Sequence, residues 1–202
     1  MSVTSIEKHG EIAIVTVDNP PVNALSQALR QGLWDAVAQL DADAQVRGVL
    51  LVCAGRTFIA GADVTEFGKP PLAPHLPDLV ARIESAAKPW IAVLHGSALG
   101  GGLEVAMGCR FRVAAGDAAL GLPEVTLGIV PGAGGTVRTP RLIGLAAAVD
   151  LVTSGKPIRA DKALALGLVD AVIPGDVLTG DLLSGALDFA ATALAAPLPQ
   201  PA

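Results

Sequence analysis

Hydrophobic residues along the chain repeat with two periods, and the switches between them mark out the elements. Glu11 to Val17 is rich in β-branched residues and stops at Asp18-Asn19-Pro20-Pro21, a combination that ends a strand and turns the chain. Ser26 follows as a helix cap, and Leu29, Leu33, Val37 and Leu40 recur at helical spacing on one face. Gly48 to Cys53 is apolar throughout, the pattern of a strand covered on both sides. A loop over Arg56 to Asp63 and a Pro-rich connection over Lys69 to Pro77 lead to a second helical repeat, Leu79, Val80, Ile83 and Ala87, closed by Pro89. Trp90 to His95 is another buried-type strand, which Gly96-Ser-Ala-Leu-Gly-Gly-Gly-Leu-Glu104 carries into a short helix.

Further on, Gly134 to Asp150, Ala160 to Leu166 and Gly180 to Ala196 are expected to be helical, and Leu168 to Ile173 a strand. Strands alternating with helices predict an α/β domain. The 202 residues suit one domain, read here as residues 1–196 with a Pro-rich tail at 197–202. No internal repeat is visible.

Composition narrows the function. The chain is 51% hydrophobic and 16% charged, which fits a globular or oligomeric protein and not a disordered one. A net charge of -5 and only 3% aromatic residues argue against nucleic acid and against an anionic membrane as partners. The longest apolar region, Ile91 to Cys109, is interrupted by His95, Glu104 and glycines, so a bilayer span is not expected. Cys53 and Cys109 lie in apolar or glycine-rich surroundings and suggest neither a disulfide framework nor a zinc site. With no secretion-type leader in Met1 to Lys8, a cytoplasmic location is expected.

The glycine-rich turn before Glu104 presents unpaired amides at a helix start, where negative charge is favoured. Glycine there also simply permits close backbone packing. Neither Gly96 to Gly102 nor Gly132 to Gly135 completes a dinucleotide fingerprint, and no phosphate-loop spacing occurs. The loop Thr57-Phe-Ile-Ala-Gly-Ala-Asp-Val64 likewise brings backbone donors to the end of an apolar strand, so the two loops could converge on one ligand. Glu104 and Glu124 are the candidate acid–base groups, although the first also suits the positive end of a helix and the second also suits a solvated loop. His9, His75 and His95 are too scattered for a local metal motif, His95 reads as structural, and no metal is assigned. Arg159, Asp161 and Lys162 read as a solvated helix start. There is no G-x-S-x-G elbow, and nothing near Cys53 would lower its pKa.

Taken together, several segments closely resemble the enoyl-CoA hydratase/isomerase, or crotonase, superfamily. They are Asn19-Pro-Pro-Val-Asn-Ala-Leu25, Phe58-Ile-Ala-Gly-Ala-Asp-Val64, His95 to Glu104, Gly121-Leu-Pro-Glu124 through Gly135, and the stretch Ala147 to Asp170. The resemblance implies a spiral of ββα turns with outer helices. It implies an enoyl-CoA hydratase of fatty-acid β-oxidation, adding water reversibly and syn across a 2-enoyl-CoA double bond, with double-bond isomerisation compatible with the same site. Ala60 and Gly101 would supply oxyanion-hole amides, Glu104 and Glu124 would handle the water and the α-proton, and Gly132 would place that water. Val22, Ala24, Gly61, Ala62, Asp63 and Val64 would border the CoA. No separate cofactor is implied, coenzyme A being part of the acyl-CoA substrate. Glu66-Phe-Gly-Lys-Pro-Pro-Leu72 is most similar to the amino-terminal hydratase segment of bifunctional enzymes with a downstream hydroxyacyl-CoA dehydrogenase, so either that partner or a homotrimer is implied. A truncated acyl-CoA-binding module and another thioester reaction on the same fold are the competing readings.

Overall fold

A computed structural model describes residues 2–174 and 180–202. Strands β1 (Thr4–His9) and β2 (Ile12–Val17) form an antiparallel hairpin that turns at Gly10, where φ is +61°. Helix α1 (Gln27–Asp41) begins at Ser26, whose hydroxyl accepts from the Leu29 amide at 3.3 Å, as its cap position requires. Leu29, Leu33, Val37 and Leu40 are all buried on its inner face. Strand β3 (Gly48–Cys53) pairs parallel to β2, then helix α2 (Leu76–Glu84) leads to β4 (Trp90–Leu94), parallel to β3. Helix α2 starts inside the expected Pro-rich connection, because Pro77 fits a first turn, and it ends before Ala87.

From β4 onward the chain winds in repeated turns. Strand β5 (Ser97–Leu99) leaves the large sheet for a smaller one and feeds α3 (Gly101–Gly108); β6 (Phe111–Ala115) returns to the large sheet, and β7 (Ala119–Gly121) again joins the small one. A short 3-10 turn at Pro123–Leu127 follows, then α4 (Gly135–Ile143), α5 (Leu145–Ser154), β8 (Ile158–Arg159), α6 (Ala160–Leu166), β9 (Ala171–Ile173) and α7 (Asp181–Ala193). The expected single helix over 134–150 is two helices. Gly144, at φ +78°, ends one and begins the next, a conformation an L-residue rarely adopts.

The six-stranded sheet has the order β1-β2-β3-β4-β6-β9, parallel after its first hairpin, and the three-stranded sheet has the order β5-β7-β8. Successive turns thus place one strand in each sheet and a helix outside, the ββα spiral. The uniformly apolar β3 is explained by its cover: Val49, Leu51 and Cys53 pack in the cluster with α1, α2 and α3, while Leu50 packs with Leu182, Ala186 and Ala190 of α7. Arg112 crosses from β6 to the approach of β9, donating to the carbonyls of Leu168 and Cys109 and to Asp170 Oδ2 at 2.9, 2.8 and 3.3 Å. At the carboxyl end, Arg110 donates to the Pro199 carbonyl and Arg141 to that of Ala202. No helix among the described residues is long and apolar enough to cross a membrane.

Candidate active site

The loop after β3 and the turn after β4 are stitched together by their own backbones. The Phe58 amide donates to the His95 carbonyl at 2.9 Å and the Leu99 amide to that of Ile59 at 3.1 Å, while Thr57 Oγ1 donates to the Ser97 carbonyl and accepts from the Ser97 amide. This brings the two expected loops to one place. Gly102 allows it: a Cβ there would stand 2.1 Å from the Ile59 carbonyl oxygen, so no other residue lets α3 approach this closely. Gly101 contributes the first amide of α3, which the helix leaves without an internal acceptor.

Glu104 lies in that first turn, 2% exposed. Its Oε1 accepts from the amides of Ala133 and Gly135 at 2.7 and 2.8 Å. Burial raises its pKa above the ordinary carboxylate value, and these two amides and the charge of Arg138 pull the other way. Arg138 is fixed in turn by an ion pair with Glu84 at 2.7 Å and a bond to the Ala133 carbonyl at 3.1 Å.

Glu124 enters from the other side, on the 3-10 turn after β7, and is 8% exposed, so it is no solvated loop acid. Its Oε2 is buried with no hydrogen-bond partner among the described residues. Burial is the main cause that raises its pKa, a hydrogen bond with its own backbone pulls the other way, and the nearby Glu104 raises it further. Gly100, at φ +51°, gives it room, since a Cβ there would be 2.8 Å from Glu124 Oε1.

Both carboxyl groups face a cavity of about 410 Å³ whose other lining is almost wholly apolar or glycine: Leu76, Pro77, Pro123, Leu127, Ile129 and Val130 among others. Ala60, Gly61, Ala62, Val64, Gly101 and Gly132 also line it, so eight of the sequence-selected residues meet here. Val22, Ala24 and Asp63 do not. Asp63 instead caps the turn at Val64–Glu66 by accepting from the Thr65 amide at 2.9 Å, and the Val22 carbonyl accepts from the Ala60 amide at 3.2 Å. That contact was not foreseen, and it occupies one of the two expected oxyanion donors. Sequence reasoning also missed Ala133, Gly135 and Arg138 as the holders of Glu104. The Gly132-Ala-Gly-Gly135 loop belongs to the family-like stretch, and Gly132 to its expected water site, but nothing in the sequence marks the Ala133 and Gly135 amides as partners of Glu104.

Cys53 and Cys109 are buried and free. Burial pushes the Cys53 thiol well up and that of Cys109 to about 12, so neither is a thiolate nucleophile. His95 is buried with Nε2 3.2 Å from the Gly55 carbonyl, burial lowering its pKa, and it does not line the cavity.

The mixed α/β spiral, with two acidic side chains and an open helix-start amide on one apolar cavity, has the crotonase fold. The chain belongs to the enoyl-CoA hydratase/isomerase family, whose model matches residues 7–196. It is 47% identical over 176 residues to a probable enoyl-CoA hydratase of Bacillus subtilis, covering 84% of this chain and 68% of that one. It is 44% identical over 187 residues to the peroxisomal bifunctional enzyme of Danio rerio, covering 93% of this chain but only 25% of the relative. The crystal structure of enoyl-CoA hydratase from Mycobacterium tuberculosis superposes with a TM-score of 0.88 at 33% identity, over 98% of this chain and 78% of that one. That from Bacillus anthracis does so with a TM-score of 0.87 at 35% identity, over 96% and 76%.

Proposed function

We propose that this chain hydrates 2-enoyl-CoA thioesters, and the observation that carries the reading is the pairing of a held carboxylate with an unheld one in a single apolar cavity. Glu104 has two amide donors and a nearby guanidinium to support its ionised form. Glu124 has a buried oxygen without a donor among the described residues, which suits the protonated form. Glu104 therefore acts as base on a water and Glu124 as acid. Water oxygen bonds to the β-carbon as its proton passes to Glu104. The π electrons move onto the thioester oxygen, where the Gly101 amide stabilises the enolate, and Glu124 then protonates the α-carbon. A proton returned from Glu104 to Glu124 through the next water resets the pair. The substrate oxygen takes the Ala60 amide over from the Val22 carbonyl in this reading. The chemistry calls for neither a metal nor a redox cofactor, CoA entering only as part of the substrate.

The test is direct: purified protein should bleach the conjugated absorbance of a short-chain 2-enoyl-CoA and yield the 3-hydroxyacyl-CoA by mass. A product of unchanged mass with a migrated double bond would instead identify an isomerase. The pH profile of kcat/KM should be bell-shaped, its acid limb set by ionisation of Glu104 and its alkaline limb by deprotonation of Glu124. Both limbs lie above the ordinary carboxylate range because burial raises both groups.

Gly132 lines the cavity, and the position its Cβ would take meets no atom within 4 Å. That space suits the attacking water. Gly132→Ala should fill it and lower kcat for hydration by about tenfold, with little change in the affinity for saturated acyl-CoA. A turnover equal to wild type would remove Gly132 from the water site.

The assembly is also a proposal. The similarity to a bifunctional enzyme supports pairing with a downstream 3-hydroxyacyl-CoA dehydrogenase, and a homotrimer is the alternative; native mass measurement separates them. Two buried free thiols fit a reducing, cytoplasmic setting.

A further inference from the structure

Arg30 sits on α1 outside the cavity, yet it is 8% exposed, and three of its four side-chain hydrogen bonds reach the segment that leads to the cavity wall. Its Nε donates to the Pro74 carbonyl at 2.8 Å, Nη1 to the Leu25 carbonyl at 2.7 Å and to Glu66 Oε2 at 2.9 Å, and Nη2 to the Leu72 carbonyl at 3.0 Å. The other oxygen of Glu66 accepts from the Gln27 amide at 2.6 Å, and Gln27 Nε2 donates to the Ala73 carbonyl at 2.8 Å. The Leu25 amide in turn donates to the Gly61 carbonyl at 2.9 Å. One guanidinium and the helix start beside it therefore fasten the segment 61–77 at its beginning, middle and end. That segment supplies Gly61, Ala62, Val64, Phe67, Leu76 and Pro77 to the cavity.

We infer that Arg30 is a positioning residue that holds the 61–77 segment as the wall against which the acyl chain packs, and so sets acyl-length preference; this rests on the acyl-CoA reading above. The physical reason is directional. A buried charge adds little net stability compared with an apolar residue of similar volume, but a planar fork with fixed donor directions orients every carbonyl it meets. The segment has little regular structure of its own between the turn at Val64–Glu66 and α2, so its course depends on these bonds. Lysine at this position is a single point charge on a flexible stem and cannot satisfy carbonyls in those separate directions.

The experiment measures Kd for two unreactive thioesters, butanoyl-CoA and decanoyl-CoA, by calorimetry on the full chain and on Arg30→Lys and Glu66→Gln. The ratio of the two Kd values is the readout, since a variant that merely lowers the folded fraction lowers the stoichiometry for both ligands and leaves the ratio alone. Arg30→Lys should shift the ratio of the two Kd values by about tenfold from wild type, and Glu66→Gln should shift it in the same direction by about threefold. An unchanged ratio in both variants overturns the inference. If Arg30→Lys does not fold, Glu66→Gln decides alone, its side chain being 33% exposed and the substitution milder. Wild-type protein that binds neither thioester would overturn both this inference and the acyl-CoA reading. Wild-type protein that binds both without turning over an enoyl-CoA would sink only the hydratase assignment.

Discussion

Glu124→Gln lowers kcat for hydration of a short-chain 2-enoyl-CoA by about 10²–10⁴-fold while leaving the Kd for butanoyl-CoA within about twofold of wild type. Glutamine keeps the shape of the side chain but cannot give up a proton at the α-carbon. Because Oε2 makes no hydrogen bond among the described residues, no structural partner is lost, and the fall in kcat comes from the chemistry. Turnover at the wild-type rate would remove Glu124 from the mechanism. The same substitution has a stability signature of opposite sign. The folded-state pKa of Glu124 is raised, by burial first and by Glu104 second, so the folded protein keeps this proton where the unfolded chain has lost it. The group's stabilising contribution is complete below the ordinary carboxylate pKa and is lost as pH rises through the raised one. Above that raised pKa an ionised carboxylate with a buried oxygen lacking a donor costs about 1 kcal/mol, and glutamine relieves it. Thermal unfolding should therefore show the variant with a Tm about 2–4 °C above wild type at pH values beyond the alkaline limb of the activity profile. The two curves should converge in acid.

Gly102→Ala is expected to abolish most activity for a different reason. The new methyl would overlap the Ile59 carbonyl oxygen, at 2.1 Å, and the obstacle is backbone, which cannot swing away as a side chain can. Relief requires α3 to move off the loop that carries Ala60, and α3 carries both the Gly101 amide and Glu104. A shift near 1 Å at that point costs about 10²-fold in kcat, and loss of an aimed amide donor costs about as much again. Overpacking itself should destabilise the fold by about 1–3 kcal/mol, visible as a lower denaturant midpoint. Wild-type kcat in folded Gly102→Ala protein would show that the close approach of the two loops is not needed for catalysis.

The elements readable in advance were those whose pattern is complete within a few residues. Helix α1 announces itself through Ser26 and the spacing of four buried apolar residues, and β3 through an unbroken apolar run whose limits match the strand. The short strands β5, β7 and β8 span two or three residues each, too few for any period to show. Strand β1 is mostly exposed and owes its place to pairing with β2, not to its own sequence. The split between α4 and α5 hung on the backbone angle of Gly144, which composition does not reveal.

The site divides along the same line. That Glu104 opens a helix after glycines and that Glu124 follows a Gly121-Leu-Pro123 turn is legible from the local chain, because caps, turns and glycine tolerance are local properties. Sequence left each acid with a plain structural explanation, and only the motif resemblance joined them. Packing alone buries both on one cavity, sets the amides of Ala133 and Gly135 on Glu104, and leaves Glu124 with an oxygen that has no hydrogen bond among the described residues. It also ties the Ala60 amide to Val22 and fastens the cavity wall to Arg30. These contacts join residues far apart in the chain, and their energies depend on burial and direction. Neither quantity exists until the strands and helices have packed.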